Sequence, residues 1–287
     1  NELDFDTGGG GINTAVALAR MGLSVGYVGK LGADDNAHKI IEELNREGVD
    51  FLGSRSEMEH EKTGYSIILD SIERKRTVLA YKGVNDNLDF DQLDIGCLKA
   101  KWFYICTMMG KSFEALKRLA LYARDNQIKV VFNPSSYLAE KGIEYLAPVM
   151  DNTHILVLNQ EEATYLVGQG KPLDKLKKLR KTGPRTVIIT DGPKPAHCLD
   201  EHNIYYVIYP QDIRIVEVTG AGDSFASSFL AGIIHGCNVE KSLKIALANS
   251  QSVLKYKGAK RKLLSFKEAE QEILKNPPQV DITGPLH

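Results

Sequence analysis

The stretch Thr219-Gly220-Ala221-Gly222-Asp223-Ser224-Phe225, followed by the apolar residues 226–234, limits the fold more than any other. Residues 213–218 read as a strand, the turn after them admits only small side chains, and the chain leaves it as a helix. Gly220 and Gly222 allow a close backbone approach, so that successive N–H groups can face an anion at the positive end of that helix. Asp223 then stands beside the anion. A simple phosphate cradle has no use for a carboxylate, which repels the bound charge. The residue makes sense as the acceptor of a proton from an alcohol that attacks a phosphoryl group. The plainer reading is an Asp that caps the helix and complements its dipole; taken alone, the stretch leaves the two balanced.

The rest of the chain supplies partners for this turn. Near the start, Gly8-Gly9-Gly10-Gly11-Ile12-Asn13 runs straight into a small-residue helix over 14–21, which favours a ligand-binding loop over a flexible linker. Residues 24–28 read as a strand and 37–47 as an amphipathic helix stopped by Gly48. Two alternating runs, 65–69 and 77–81, flank a polar bend and predict an antiparallel hairpin that can cover a site or pair with a second subunit.

Strand and helix units then alternate: strands at 102–106, 129–132, 154–158 and 186–190, helices at 111–125, 139–147 and 173–180. The pattern predicts a mainly parallel sheet with helices on both faces, and ligands gather at the carboxyl ends of such strands. There the sequence places Asn159-Gln160-Glu161-Glu162, Thr190 with the loop Asp191-Gly192-Pro193-Lys194-Pro195, and the turn at Thr219. Residues 239–256 read as a helix carrying Asn249, and 265–274 as a last helix capped by Ser265 with Glu268. The tail 276–287 reads as loosely ordered.

Composition narrows the function. In 287 residues with 43% hydrophobic side chains, a formal charge of −1 gives no basic field for nucleic acid or an anionic membrane. Cys97, Cys106, Cys198 and Cys237 form no ligand cluster or disulfide scaffold, so we expect a reducing cytoplasm. The seven histidines have no metal-ligand spacing. Lysines 175–181 read as a solvated helix face, and the basic cluster 255–262 as solvated surface or, in part, a phosphate neighbour.

In order along the chain, these pieces resemble the ribokinase-like carbohydrate kinases of the PfkB family. Residues 8–22 with Gly29, Gly32 and Asp34 look like the first signature of that family, and 219–225 like its second; Asn133-Pro134-Ser135 and the spacing of Asn159 to Glu162 match between them. The resemblance implies one three-layer α/β/α domain over 1–287 with a mainly parallel sheet and a small β lid from about 1–7 and 51–83. It implies Mg-dependent phosphoryl transfer from ATP to a sugar hydroxyl, with ADP left open as the donor. Asp223 would be the base, and Gly220, Ala221 and Gly222 the anion hole. Gly8, Gly9, Gly10, Gly11 and Asn13 would bind the sugar. Asn159, Glu162, Thr190, Gly192 and Asn249 would hold the nucleotide, Glu162 also facing Mg²⁺ through water. The lid would serve as a dimer contact.

Departures from that pattern qualify these expectations. The family's opening strand is missing; because its loss would bare a sheet edge, we expect residues to precede Asn1. The usual Asp-Thr before Thr219 is Glu217-Val218, which leaves a monovalent cation open. Residues 107–110 lack the glutamate of ribokinase proper. A nucleoside kinase or sugar-phosphate kinase of the same fold stays open, as does a non-catalytic ligand-binding relative.

Overall fold

A computed structural model of the chain describes residues 5–70 and 76–286. Strands are β1 (Val25–Tyr27), β2 (Lys30–Leu31), β3 (Val49–Phe51), β4 (Ser54–Arg55), β5 (Tyr65–Asp70), β6 (Arg76–Tyr81), β7 (Trp102–Ile105), β8 (Lys129–Phe132), β9 (Ile155–Asn159), β10 (Thr186–Asp191), β11 (Lys194–Leu199), β12 (Tyr205–Ile208) and β13 (Val280–Thr283). The α-helices are α1 (Gly10–Arg20), α2 (Asp35–Arg46), α3 (Gly110–Asp125), α4 (Ser136–Ala139), α5 (Ile143–Met150), α6 (Gln160–Val167), α7 (Pro172–Arg180), α8 (Ala221–Ile234), α9 (Val239–Leu254) and α10 (Phe266–Lys275).

A seven-stranded sheet runs β13-β12-β11-β10-β9-β8-β7. Strands β7 to β10 pair in parallel, and β11 to β13 extend the sheet antiparallel. The continuous apolar runs in β8 to β10 follow from burial on both faces. In β9, Leu156 and Leu158 point into the core formed with Phe113, Leu116 and Leu146, while Ile155 and Val157 join Phe225, Phe229 and Ile245 on the other side. Helices α3, α5, α6 and α7 thus cover one face and α8, α9 and α10 the other, giving the expected three layers. Among the described residues no helix is long and apolar enough to cross a membrane.

Several boundaries differ from the sequence reading. The helix expected over 139–147 is two, α4 and α5, because Gly142 takes φ 83° between them. The loop after β10 is a hairpin turn: Asp191 pairs with Lys194, with Gly192 at φ 56° and a proline next, the positive-then-negative pattern that suits a two-residue connection. The tail is ordered, since 280–283 form the edge strand β13 against β12. Residues 213–218 form no strand. Ile215, Val216 and Val218 stay exposed, and the segment is tied instead to the end of α9 through the Val216 amide and the Leu254 carbonyl, 2.8 Å apart. Burial, which turns an apolar alternation into a strand, is missing there.

The expected hairpin is β5–β6, although most of its polar bend lies outside the described residues. Within the expected lid, Phe51, Ser54 and Arg55 lie in strands that pair in parallel with β1 and β2.

Candidate active site

Two helix beginnings meet at the carboxyl end of the parallel strands. Gly9, at φ 92°, turns the chain into α1, and Gly220, at φ 78°, turns it into α8. Across the junction the Asn13 amide donates to Asp223 Oδ2 at 2.8 Å. A methyl group at Gly10 would lie 3.6 Å from Asp223 Oδ1 and 3.7 Å from Cys106 Sγ, so the glycine loop, the carboxylate and the end of β7 share one small volume. Burial raises the Asp223 carboxyl above its ordinary range, and the Asn13 bond opposes that shift. Burial and then the Asp223 charge push the Cys106 thiol up, which keeps it protonated.

The two glycines of the turn do different work. A methyl group at Gly220 would meet the Ala259 carbonyl oxygen at 2.5 Å, and the left-handed backbone there also excludes ordinary side chains. At Gly222 a methyl group would meet nothing within 4 Å. The amides of Gly222 and Asp223 head α8, where helix geometry leaves N–H groups without an intrahelical acceptor. Open space thus faces the positive end of a helix, beside a carboxylate with a raised proton affinity. That arrangement suits an anion and an adjacent hydroxyl.

Asn159 and Glu162 form a reciprocal cap on α6. The Asn159 side chain accepts from the Glu162 amide at 2.8 Å, and Glu162 accepts from the Asn159 amide at 2.8 Å. Burial is the main cause that raises the Glu162 carboxyl to about 7, the Asn159 N–H opposes it, and the charges of Glu161 and Asp223 add to it. Glu162 therefore shares the electrostatic field of Asp223. Nearby chain ends carry Ser135 Oγ and Gln160 Oε1, both buried without a hydrogen-bond partner among the described residues. Thr190 Oγ1 reaches the Leu158 carbonyl at 3.4 Å, and Gly192 sits at the hairpin tip.

Asn249 takes a different place from the one expected. It is fully buried; its amide donates to Ser228 Oγ at 2.7 Å and its oxygen accepts from the Leu264 amide at 2.8 Å. Those bonds fasten α9 to α8 and to the segment before α10, so the residue braces the wall behind α8 rather than facing an open pocket. Lys175 and Lys260 are buried, against the surface reading, whereas Lys177, Lys178, Lys181, Lys255, Lys257 and Lys262 of the same basic runs are exposed as expected.

The residues present fit ATP and Mg²⁺. Among the described residues no group of three or more His, Cys, Asp or Glu could hold a metal by itself. A magnesium ion is held mostly by water and substrate phosphates with one or two carboxylates, and a lone buried Glu162 beside orphaned polar atoms suits that division.

Sequence reasoning gave Cys106 no role, treated Glu217 only as an open cation question and read Lys260 only as part of a basic cluster. The rule that ligands gather at strand carboxyl ends could have found Cys106, which directly follows β7. No local signal shows that the other two tie distant segments together. Glu217 accepts from the Gly258 amide at 3.0 Å and from the Thr219 hydroxyl, so its carboxylate fastens the turn to the loop after α9.

Comparison with known proteins bears on the fold and the family. The chain is 26% identical over 284 residues to a 5-dehydro-2-deoxygluconokinase of Halalkalibacterium halodurans, covering 94% of this chain and 86% of that one. A protein assigned as ribokinase II from E. coli has a TM-score of 0.85 in its apo form, at 19% identity over 93% of this chain and 89% of that one. Its complex with ATP and Mg²⁺ scores 0.81 at 18% identity, with the same coverage. Arabidopsis thaliana ribokinase, solved with ribose and ATP, scores 0.80 at 21% identity, covering 93% and 87%. The profile described as pfkB family carbohydrate kinase matches residues 1–265, and the chain belongs to that family.

Proposed function

We propose that the protein transfers a phosphoryl group from ATP to a hydroxyl of a small sugar, with Asp223 taking the hydroxyl proton. The observation that carries this reading is the 2.8 Å bond from Asn13 to Asp223, which sets the Gly8–Asn13 loop against the anion turn. An acceptor held by that loop presents its hydroxyl to the carboxylate, and the Gly222 and Asp223 amides face the transferring group. Bringing these parts together and stabilising the developing charge is most of what phosphoryl transfer asks of a protein. Asn159 and Glu162 would hold the nucleotide phosphates with their Mg²⁺, which supplies charge neutralisation when bound. Thr190 and Gly192 lie at the adjoining strand end and would flank the nucleotide.

The 5-dehydro-2-deoxygluconokinase likeness makes that acid the first acceptor to try. Purified protein, ATP and Mg²⁺ should release ADP with 5-dehydro-2-deoxygluconate, D-ribose or D-fructose, and a preference for adenosine would move the reading to a nucleoside kinase. No ADP release above the acceptor-free rate with any of the four would overturn it.

The hairpin carries the lid role in this reading. Tyr65, Ile67, Leu69, Leu79 and Tyr81 share one of its faces, each about half exposed. Such a stripe suits closure over the acceptor and pairing of two copies. Sedimentation should find a dimer that Leu79→Asp dissociates; a monomer at all concentrations would remove the pairing role.

A further inference from the structure

Residues 258–260 stand between the two halves of the site. On one side the Gly258 amide donates to Glu217 at 3.0 Å, and Ala259 packs so tightly on Gly220 that no side chain fits there. On the other side the Lys260 ammonium donates to the carbonyl oxygen of Thr7 and, at 2.9 Å, to its hydroxyl. Thr7 directly precedes the glycine loop. The Lys260 ammonium also lies 3.3 Å from the buried Glu43 carboxylate and 3.5 Å from Asp6. Its carbonyl accepts from Arg20 at 2.9 Å, and Arg20 in turn pairs with Glu47 at 2.7 Å. Lys260 itself is only 4% exposed.

A buried ion pair is a weak source of stability, because desolvating both charges offsets most of their attraction. Glu43 alone would satisfy the ammonium as a charge; it does not explain the hydrogen bonds to the backbone and side chain of Thr7. Through those bonds the ammonium fixes the residue from which Gly8 departs, while the two residues before it are locked to the anion turn. We infer that Lys260 is a positioning residue that holds the Gly8–Asn13 loop in register with the anion turn, so that the acceptor hydroxyl reaches Asp223 in line. The inference rests on the kinase reading above.

Two variants separate positioning from stability. Lys260→Met leaves the buried Glu43 with only the exposed Arg46, 3.7 Å away, so it should lower the melting temperature and weaken acceptor use together. Lys260→Met combined with Glu43→Gln removes both charges and should recover the melting temperature. The acceptor KM of that double variant should stay about tenfold or more above wild type, with the KM for ATP within about twofold. Wild-type values for both constants in the double variant, or equal rises in both, would overturn the inference. Amide exchange at Asn13, bonded 3.0 Å from the Gly9 carbonyl, gives a second readout without turnover. Faster exchange in the double variant supports the role of Lys260, and unchanged exchange overturns it. Should wild type turn over none of the acceptors above, the kinase reading fails, while exchange still decides what Lys260 does to the loop.

Discussion

Asn13 and Asp223, 210 positions apart in sequence, are joined by a hydrogen bond of 2.8 Å between the first turns of two helices. The amide leaves Asp223 Oδ1 uninvolved in that bond and steadies the ionised form that a base needs. Removing the carboxylate while keeping its shape tests the role directly. Asp223→Asn should lower kcat by about a thousandfold, the scale of a positioned base, with ATP affinity within a few-fold of wild type. Calorimetric ATP binding beside steady-state rates reads both, and a near-normal kcat would remove Asp223 from the chemistry.

The Asn13 bond also sets a pH dependence. Burial raises the Asp223 carboxyl and Asn13 lowers it. A base works ionised, so with Asp223 in that role the rate should fall as pH drops through its raised pKa. Asn13→Ala removes the opposing bond and should move the acid limb of kcat/KM upward. A limb that stays in place or moves down would show that another group controls it.

Gly220 and Gly222 should respond oppositely to the same added methyl group. Gly220→Ala drives a Cβ into the Ala259 backbone at a left-handed position, and should cost about 2 kcal/mol or more of stability. Gly222→Ala meets open space and should leave denaturation within about 0.5 kcal/mol of wild type. Its methyl group stands where the anion would sit, so turnover should still fall by about tenfold or more. Denaturation curves and rates on the two variants separate fold from function.

Glu162 couples site chemistry to stability. Its carboxyl is raised from 4.5 to about 7, so ionising it costs the folded state. The sign follows: the folded state holds a proton that the unfolded state releases, and stability falls as pH climbs from about 4.5 to 7. Glu162→Gln keeps a residue able to complete the cap. It should be more stable than wild type at pH 8 by up to about 3 kcal/mol, with the gain vanishing towards pH 4.5. It should also need more Mg²⁺ for half its maximal rate. Urea denaturation at the two pH values measures the first effect; a variant less stable than wild type at pH 8 would contradict the burial cost.

Residues 8–13 and 219–225 were legible from sequence because their chemistry is local. Runs of glycine leading into apolar helices dictate turns and helix N-termini wherever the chain packs them, and the Ser265–Glu268 and Asn159–Glu162 caps are set by three-residue spacing. The buried strands β8 to β10 were equally plain, since two covered faces require unbroken apolar runs. Residues 213–218 and 280–283 show the limit of such reading. Both alternate like strands, yet only the second finds an edge to pair with, at β12. Neighbours decided that, not propensity. Asn249 and Lys260 were misplaced for the same reason: a polar side chain announces a surface or a ligand, and only packing shows whether the protein itself supplies the partner. The sequence by itself determined the family, the layers and the two turns that face one another. The tertiary structure decided which groups meet there, because hydrogen bonds such as Asn13 to Asp223 and Lys260 to Thr7 join residues more than 200 positions apart, a separation over which local pattern carries no information.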